Sequence, residues 1–537
     1  MTTYLEDDKI NYDHHEGGHN ENTAVSEAAA KGQIASGYEN LSIIGTIKHF
    51  KMAFAVCFAA TFAAATDGYQ IGMNGNIIAN AGFVEQFGTT FDATGKRILS
   101  APVLTAIGTI QSVGQIIGMT TLPFIAARFG RKPAMYLLWA ILAASVLCET
   151  LARQWQVWFV AKLFSGIGVG SLQFITPTYV SEISPPRIRG MLLVLYNFWF
   201  SVGSFFAPIA LQIMYKTQPL NYRTPIYTQW GHIGLMLVIY ILLPESPAWY
   251  ASRGNEVKGK KALQFIYRGV DGFDTDAHYE TIVRGIEHEK EVAVQLGRTS
   301  WTSIFRGTDG FRTIVSTWAL FSQQLLGLTL FYTYSSYFFS SVGFADPFSI
   351  TCITNGIQLV VILIVVVTVD RFGRRNLCCG GLSTMGFSIV LIGILGVVPA
   401  NKATKSLLVF FSCIYIVGLQ CSGSTGWGYV GEISSQRLRP HTAGFAAALS
   451  CVMGVIMNVL VPYMLNANEW NWGLKTAFFY AGIGIPFAVG SWFIIPETTG
   501  RTSAELDELF ENKVKPWRFH KTQTSLQRVV EAEKARR

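Results

Sequence analysis

The sequence predicts an all-α membrane protein whose twelve transmembrane helices form two pseudo-symmetric halves of six helices each. Half of the 537 residues are apolar and only 14% are charged, whereas soluble domains usually carry about 25% charged residues. The charge is concentrated in a few segments that are separated by long apolar runs. Two short motifs also recur at nearly the same offset, which indicates an internal duplication.

Twelve apolar segments are long enough to cross the hydrocarbon core, which takes about 20 residues in a helix. They are continuously apolar rather than alternating, which predicts helices rather than a β-barrel. Spans 1 to 6 are predicted at roughly 52–75, 99–126, 133–152, 156–181, 190–214 and 226–243. Spans 7 to 12 are predicted at roughly 313–342, 347–369, 376–398, 406–430, 442–464 and 474–495.

Polar segments flank and separate the two groups of spans. Residues 1–50 are acidic, rich in Asn, Gly and Ser, and without an apolar period, which predicts a disordered tail. The predicted organisation is a tail at 1–50, a first half at 51–243, a linker with short amphipathic helices at 244–312, a second half at 313–495 and a second tail at 496–537.

Lysine and arginine are concentrated in the short loops after spans 2, 4, 8 and 10, with examples at Arg128, Arg187 and Arg371. Because positively charged loops remain in the cytoplasm, both termini and the linker are predicted to be cytoplasmic. We expect a multi-pass protein of the plasma membrane, with the vacuole as the alternative because no address motif is evident.

Two motifs carry the internal duplication. Arg128–Lys132 (RFGRK) follows span 2, and Arg371–Arg375 (RFGRR) follows span 8, 243 residues later. Tyr179–Ser184 (YVSEIS) ends span 4, and Tyr429–Ser434 (YVGEIS) ends span 10, 250 residues later. Duplicated six-span halves predict a substrate site between the halves, near the middle of the membrane.

Charged side chains at the predicted cytoplasmic ends of the spans are candidates for gating. The Glu of each YVxEIS motif is followed seven residues later by an Arg, and each RFGR loop supplies a further Arg. Carboxylate–guanidinium pairs at these ends would lock one conformation of a rocking bundle. The alternative is a topology signal with solvated loop charge. The gating candidates are Glu182, Arg189, Glu432, Arg439, Arg131 and Arg374.

Polar and aromatic residues interrupt spans 1, 5, 7 and 10. Asp67 is a carboxylate inside span 1, where such a group is costly and is a candidate proton relay. Amides and hydroxyls both donate and accept hydrogen bonds, and Trp faces fit the C–H side of a pyranose, so this set predicts an uncharged polyhydroxylated ligand. The alternative is hydrogen bonding between helices. The candidate ligand-binding residues are Gln323, Gln324, Asn197, Trp427, Gln70, Thr329 and Tyr334.

Nothing in the sequence predicts an enzyme. It contains no nucleophile–base pair, no metal-ligand cluster in its apolar part and no phosphate-binding glycine loop. We therefore expect no catalytic residues, no cofactor, no bound metal and no nucleic-acid partner. The eight cysteines lie in or beside apolar spans and are expected to behave as small hydrophobes.

After residue 50, nearly the whole chain resembles the sugar porter family of the major facilitator superfamily. The motifs that carry the resemblance are the two RFGR loops, Pro244–Pro247 with Trp249 and Arg253, Gln323–Gly327 and Pro496–Thr502. The segments that resemble the fungal α-glucoside (maltose) permease branch more than the hexose branch are Asn197–Trp199, Tyr334–Phe339, Tyr463–Asn466, Glu469–Thr476 and Glu505–Phe510. The resemblance implies the major facilitator fold.

The sequence departs from the family pattern at several positions. Gln70 stands where proton-coupled members usually have Asp, although Asp67, one turn earlier, matches a second carboxylate of the maltose-like branch. Thr329 replaces a common Asn, and Lys162 replaces the usual Arg of span 4. Proton symport through Asp67 and uniport therefore remain alternatives, and the sugar is not assigned.

The resemblance implies a carrier of a mono- or disaccharide, such as an α-glucoside, that works by alternating access in the lipid bilayer. Gln323, Gln324 and Asn197 would hold hydroxyls of the sugar or polyol, Trp427 would hold hydroxyls or stack on the ring, and Asp67 would bind the proton of a symporter. An exporter of a small polyhydroxylated metabolite on the same fold is the alternative. A non-transporting sugar sensor is a third hypothesis, which the short predicted tail after span 12 disfavours.

Overall fold

The computed structural model describes residues 43–91, 95–270, 272–297, 301–399, 401–434, 438–499, 501 and 503–524. Most of these residues lie in helices, because an apolar run in hydrocarbon must satisfy its backbone hydrogen bonds internally. The strands in this part of the chain form one short antiparallel hairpin, in which Thr90–Phe91 pairs with Arg97–Ile98. The predicted all-α class is confirmed.

In the first half, the observed helices follow the predicted spans to within a few residues. Span 1 consists of two successive helices, Lys51–Thr61 and Ala63–Ile77, and the short helix Ala81–Phe87 follows it. Spans 2 to 6 are Ala101–Phe129, Arg131–Leu151, Trp155–Ile183, Pro186–Thr217 and Arg223–Leu242.

In the second half, span 7 is discontinuous, which corrects the single helix predicted at 313–342. Gly307–Leu325 is followed by a π-helical turn, Thr329–Thr333, and by Ser335–Ser341. Gly327 lies at the break with a φ of +88°, a conformation that favours glycine. Spans 8 to 12 are Pro347–Phe372, Arg374–Leu395, Lys402–Glu432, Arg439–Leu465 and Thr476–Ile494. Within the described ranges, eleven segments are long and apolar enough to cross a membrane as helices, and span 7 is the interrupted twelfth.

Helices also occur in the polar segments outside the spans. Residues 1–42 of the predicted tail lie outside the described residues, but Ile43–His49 is a helix, which corrects the tail boundary at residue 50. Phe50, which follows this helix, is buried edge-on against Tyr267 of the linker. This contact is with a distant segment of the chain, so the local composition did not predict it. The linker helices are Pro247–Ser252, Glu256–Ile266 and Thr275–Gly297, followed by a 3-10 turn at Trp301–Phe305.

The segment after span 12 packs onto the second half. It contains the helix Ser503–Glu511 and a 3-10 turn at Pro516–Lys521. Phe510 is buried in the core of the second half, and Arg312, near the start of span 7, pairs with Asp507 at 2.6 Å. The described part of this segment is therefore part of the fold.

The bundle has two faces. We name the face that carries Ile43–His49, the linker helices and Ser503–Glu511 the terminal face, and the other the opposite face. Odd-numbered spans run from the terminal face to the opposite face, and even-numbered spans run back.

Helix packing repeats from one half to the other. Span 4 packs on spans 2 and 3, and span 10 packs on spans 8 and 9 in the same way. Span 1 packs on span 5, and span 7 packs on span 11. The two halves meet where span 5 packs on span 8 and where span 2 packs on span 11. These two contacts exchange under the pseudo-twofold axis, so the duplication in sequence is also a duplication in structure.

The halves are joined along a polar seam at the opposite face. Gln212 of span 5 donates to the Asp346 carboxylate (2.7 Å) and to Ser349 (2.8 Å), both at the start of span 8. Burial alone would raise the pKa of Asp346, but the hydrogen bonds that Gln212 and Ser349 donate to it lower this pKa below its ordinary value. Across the other contact, Asn466 donates to the Leu99 carbonyl oxygen (2.8 Å). Asp346 is therefore ionised at neutral pH and stabilises the closed seam.

The seam continues toward the middle of the bundle and ends there. Asn355 donates to the Ser204 carbonyl oxygen (2.9 Å), and Gln358 donates to the Ser201 hydroxyl (3.3 Å). In the described part of the chain, every hydrogen bond between the two halves lies at this level or closer to the opposite face. The protein is therefore closed at the opposite face.

Gly75 of span 1 permits the close approach of the halves. A Cβ at this position would lie 1.7 Å from the Thr333 carbonyl oxygen of span 7. We expect Gly75→Ala to force these spans apart. The reporter is a cysteine at position 105, because the Thr105 hydroxyl donates across the seam to the Val459 carbonyl oxygen. Labelling of this cysteine from the opposite face should rise in the variant. The measurement uses a membrane-impermeant thiol reagent on a chain whose eight native cysteines have been replaced.

Gly231→Ala in span 6 is the matched control, because no atom lies within 4 Å of the Cβ that it would add. Labelling of the cysteine at Thr105 should be unchanged by this control. If Gly75→Ala also left the labelling unchanged in folded protein, closure of the seam would not depend on the contact between spans 1 and 7.

Candidate functional site

Asp67 is fully buried within the first half. Gln173 of span 4 donates to both carboxylate oxygens (3.3 and 3.1 Å), and Tyr196 of span 5 donates to Oδ2 (2.7 Å). Gln173 and Tyr196 are themselves only partly buried. Among the described residues, no Lys or Arg forms an ion pair with Asp67. It is therefore a hydrogen-bonded carboxylate without a cationic side-chain partner.

Gln70 is also fully buried, one turn further along span 1. Its amide nitrogen donates to Gln229 of span 6, and its amide oxygen accepts from Ser165 of span 4 (3.0 Å). Both polar ends of the side chain are occupied by other helices. Gln70 is thus held by two other helices of the first half, and its ligand role stays a prediction.

Three of the predicted ligand residues come together in the second half. Gln323 donates to Ser422 of span 10 (3.2 Å), and Thr329 donates to the amide oxygen of Gln324 (3.4 Å). A Cβ on Gly426 of span 10 would lie 3.7 Å from the Gln323 amide nitrogen. Gln323 thus faces span 10, whereas Gln324, whose amide nitrogen would lie 3.8 Å from a Cβ on Gly454, faces span 11 and bonds to Thr329 within span 7.

Asn197 lies on the side of span 5 that faces the second half. Ser201 and Ser204 follow it by four and seven residues and take part in the seam. Residues at this spacing share one face of a helix, and Asn197 is one turn beyond the seam toward the terminal face. Its side chain is exposed, so it faces the space between the halves on the terminal-face side of the seam.

Trp427 and Tyr334 have different surroundings. Trp427 is 52% exposed and is adjacent in span 10 to Gly426, which faces Gln323. Tyr334 is buried, and its hydroxyl would lie 1.9 Å from a Cβ on Gly108 of span 2. The structure therefore places Tyr334 in the contact between the halves, whereas Trp427 remains accessible.

The gating candidates form one ion pair in each half. Arg131 of span 3 binds Glu182 of span 4 through Nη2 (2.6 Å) and Nε (3.1 Å). Arg374 of span 9 pairs with Glu432 of span 10. Each pair joins two neighbouring spans at the terminal face. Neither pair bridges the halves, so each one stiffens a single half.

A second carboxylate supports each pair. Glu245 accepts from the backbone N–H of Arg131 (2.9 Å), and Glu497 accepts from that of Arg374 (3.0 Å). Burial raises the pKa of Glu245, and the backbone N–H groups that donate to it oppose that rise. The duplicated loops thus begin spans 3 and 9 with the same set of interactions, in which the carboxylate caps the exposed amides of a helix N-terminus.

Two gating candidates do not take part in these pairs. Arg189 is exposed, and Glu182 is bound by Arg131 instead. Arg439 begins span 11, but its side chain lies outside the described residues. In the first half, Glu182 therefore does not pair with the arginine that follows it by seven residues.

Sequence reasoning missed several polar residues of the first half that bond to a carboxylate or form an ion pair. Gln173 and Tyr196 carried no signal, since neutral polar residues occur throughout the spans. Glu149 did carry one, because it is a carboxylate inside predicted span 3, the same feature that identified Asp67. It forms a buried ion pair with Lys162 of span 4, with Nζ 2.8 Å from Oε1.

Comparison with known families gives a match over most of the chain. The model of the family described as "Sugar (and other) transporter" matches residues 56–510. The MFS transporter fmqE of Aspergillus fumigatus is 28% identical over 455 residues, which cover 84% of each chain. A general alpha-glucoside permease of Saccharomyces cerevisiae is 28% identical over 471 residues, which cover 85% of this chain and 75% of the permease.

Comparison with solved structures identifies the fold. The inward open conformation of the xylose transporter XylE from E. coli superposes with a TM-score of 0.68 at 21% identity, over 85% of this chain and 99% of XylE. Its partially occluded inward open conformation superposes with a TM-score of 0.65 at 19% identity, over 83% of this chain and all of that chain. The predicted major facilitator fold is confirmed.

The two ion pairs at the terminal face can be tested for independence. We expect Glu182→Gln and Glu432→Gln each to lower the Tm of the purified protein by about 2–4 °C, since each removes charge-assisted hydrogen bonds worth on the order of 1 kcal/mol at a partly exposed site. Because each pair lies within one half, the double variant should lose the sum to within about 0.5 kcal/mol. Thermal unfolding in detergent measures all three variants.

Glu280→Gln is the matched control, because Glu280 forms an exposed ion pair with Arg284 in the linker. It should leave the Tm unchanged. A double variant that lost much less than the sum would mean that the pairs act as one latch across the halves, which the geometry does not support.

Proposed function

Because the chain belongs to the sugar (and other) transporter family, and is therefore a transporter and not an enzyme, we propose that it moves a mono- or disaccharide across a membrane by alternating access. The observation that carries this proposal is the one-sided contact between the halves. In the described residues, their mutual hydrogen bonds lie from the middle of the bundle to the opposite face. A bundle that is closed on one side and parted on the other is one end state of such a cycle.

The proposed substrate site lies below the seam, between the halves. Gln323, Gln324 and Thr329 supply amides and a hydroxyl from the second half, and Asn197 supplies an exposed amide from the first. Trp427 supplies an accessible aromatic face. Neutral groups that both donate and accept fit the hydroxyls of a sugar, and an indole fits its C–H face. The relative named general alpha-glucoside permease supports an α-glucoside as the substrate.

Asp67 is the proposed site of the coupling proton. Its carboxylate is buried, has no cationic side-chain partner among the described residues, and accepts hydrogen bonds from two partly buried donors, Gln173 and Tyr196. A carboxylate inside a membrane is most stable when neutral, so proton binding at Asp67 offsets the cost of burial. Movement of the two donors would then control access to it.

The ion pairs at the terminal face are proposed to keep each half rigid while the halves rock. Arg131 with Glu182 and Arg374 with Glu432 fix neighbouring spans to each other. The halves can then turn as units about the seam instead of deforming helix by helix. Arg189 and Arg439 would serve as positive charge at the same face.

The distribution of positive charge supports an orientation. The loops at the terminal face carry most of the Lys and Arg residues, so this face is proposed to be cytoplasmic, with both termini inside. In that orientation the protein faces inward. We further propose the plasma membrane as its location.

Uptake by a yeast strain that lacks its own sugar carriers tests the proposed function. Labelled glucose, maltose, trehalose and a polyol are each offered with and without a protonophore. We expect uptake of maltose, and we expect the protonophore to abolish its accumulation, because a symporter concentrates its substrate only against a proton gradient. Uptake that merely equilibrates would indicate a uniporter. If the protein reached the cell surface and took up none of the four, the proposal of a sugar importer would fall, and export of a polyhydroxylated metabolite would replace it.

Asp67→Asn tests the proton site. This variant cannot bind and release a proton, so we expect counterflow exchange of the substrate to persist while accumulation is lost. In the unmodified protein, accumulation should fall as the external pH rises, because fewer protons are available to load Asp67. Asp276→Asn, in an exposed ion pair of the linker, is the matched control and should accumulate normally. Normal accumulation by Asp67→Asn would exclude this role.

A further inference from the structure

The segment after span 12 carries an exposed basic surface on the terminal face. We name Lys513–Lys521 the basic turn, and its four exposed cations are Lys513, Lys515, Arg518 and Lys521. The sequence from Asn512 to Thr524 contains no Asp or Glu. Among the described residues, no carboxylate forms an ion pair with any of the four cations. The described part of the chain therefore leaves their positive charge uncompensated.

The basic turn has a fixed position on the second half. Arg501 donates to the carbonyl oxygens of Phe519 and Thr522 (2.6 and 2.8 Å). The Phe519 ring is fully buried and packs edge-on against Phe510, with the ring centroids 5.1 Å apart. These contacts hold the backbone of the turn, so its cations form a defined surface.

Trp517 places the basic turn at the outer edge of the bundle. Its ring is 36% exposed and packs edge-on against Phe493, with the centroids 5.9 Å apart. Phe493 lies next to the end of span 12 and is 57% exposed. Lys515 lies over the Trp517 ring, 5.4 Å from its centroid. A Trp at the end of a span is typical of the interface between membrane and water, so the cations lie at headgroup level.

An apolar groove between spans 9 and 12 begins at this contact. Its volume is about 440 Å³, and Phe387, Val489 and Phe493 form exposed walls, with the buried Gly386 between them. Phe493 belongs both to the groove and to the contact with Trp517. Because both spans are long and apolar enough to cross a membrane, hydrocarbon fills this groove in a bilayer.

Aromatic and positively charged groups bound the groove on the side of the terminal face. Trp492 donates from Nε1 to the Ser383 hydroxyl (3.0 Å), which joins spans 12 and 9. Arg375, near the start of span 9, lies over the Trp492 ring, 5.6 Å from its centroid. It also donates to the carbonyl oxygens of Trp492 and Ile495 (2.6 and 2.9 Å). From the terminal face inward, cations therefore come first and hydrocarbon walls follow.

We propose that the basic turn and the groove together bind an anionic phospholipid of the leaflet at the terminal face. The charged headgroup lies at the basic turn, and one acyl chain lies along the groove. The two parts fit one amphiphile, because Phe493 is common to both. Cations beside a span attract the anionic lipids of the cytoplasmic leaflet. The proposal requires only that the bundle span a membrane, and it is independent of the substrate.

Lipid binding to the purified full chain tests the headgroup part. Phosphatidylserine and phosphatidylcholine are titrated separately in detergent, and bound lipid is counted by native mass spectrometry. We expect phosphatidylserine to bind more tightly. Lys515→Gln with Arg518→Gln should weaken its binding about ten-fold, because each cation near the surface adds to the attraction, and should leave phosphatidylcholine binding unchanged. Lys258→Gln with Lys261→Gln, at exposed cations of the linker, is the matched control and should change neither.

Filling the groove tests the acyl-chain part. Val489 is exposed, so Val489→Trp places a larger ring in the groove without entering the core. It should weaken binding of both lipids several-fold and by the same factor, because the two lipids carry the same chains. Val360→Trp, at an equally exposed position of span 8, is the matched control and should change neither. Unaltered binding of both lipids by Val489→Trp would mean that the groove holds no chain, which would overturn the proposal.

Two further outcomes would overturn it. Glycerophosphoserine, which is the headgroup without the chains, should not displace phosphatidylserine; if it did so at equal concentration, the cations would bind a soluble phosphate. Equal binding of the two lipids, with no effect of the charge variant, would mean that the basic turn selects no lipid. These measurements need no transport, so failure to transport any sugar would count against the proposed function and leave this inference to the binding data.

Discussion

The absence of hydrogen-bonding partners in hydrocarbon is the constraint on which the rest of the structure depends. A polar side chain within the spans is costly unless it has a partner inside the bundle or faces an aqueous space. In the first half this requirement produces the Glu149–Lys162 pair and the hydrogen bond that Gln229 donates to Glu149. In the second half it joins Gln323 to Ser422. Between the halves, the same requirement produces the hydrogen bonds of the seam, which form where polar groups of both halves meet.

The internal duplication is clearest at the terminal face, where both halves form the same set of interactions. In each half the arginine that begins a span binds a glutamate at the end of the next span, and a second glutamate caps the helix that the arginine begins. Tyr179 and Tyr429 complete the likeness, because each donates to the carbonyl oxygen of the proline before the capping glutamate. The interactions that keep a half rigid are thus shared, as expected if both halves move as units.

Away from that face the copies diverge, and the residues of the proposed substrate and proton sites lie where they diverge. Span 1 carries Asp67, whereas span 7 is interrupted and carries Gln323 and Gln324, with Thr329 bonded to Gln324. A π-helical turn re-aims side chains and is common at functional sites. In the proposed function, the first half therefore supplies buried charge, and the second supplies neutral groups for the substrate. A symmetric frame with asymmetric contents suits a carrier that binds one substrate between its halves.

The sequence by itself determined the fold class, the number and placement of the spans, and the duplication, because these follow from apolar runs and recurring motifs. It also identified Asp67, since a carboxylate in an apolar run is conspicuous, and by the same rule it could have identified Glu149. Only the tertiary structure decided that Gln70 is enclosed by Ser165 and Gln229, and that Glu182 pairs with Arg131 instead of Arg189. The physical reason is that hydropathy is a property of each segment, whereas the role of a polar side chain depends on which distant helix packs against it and supplies its partner.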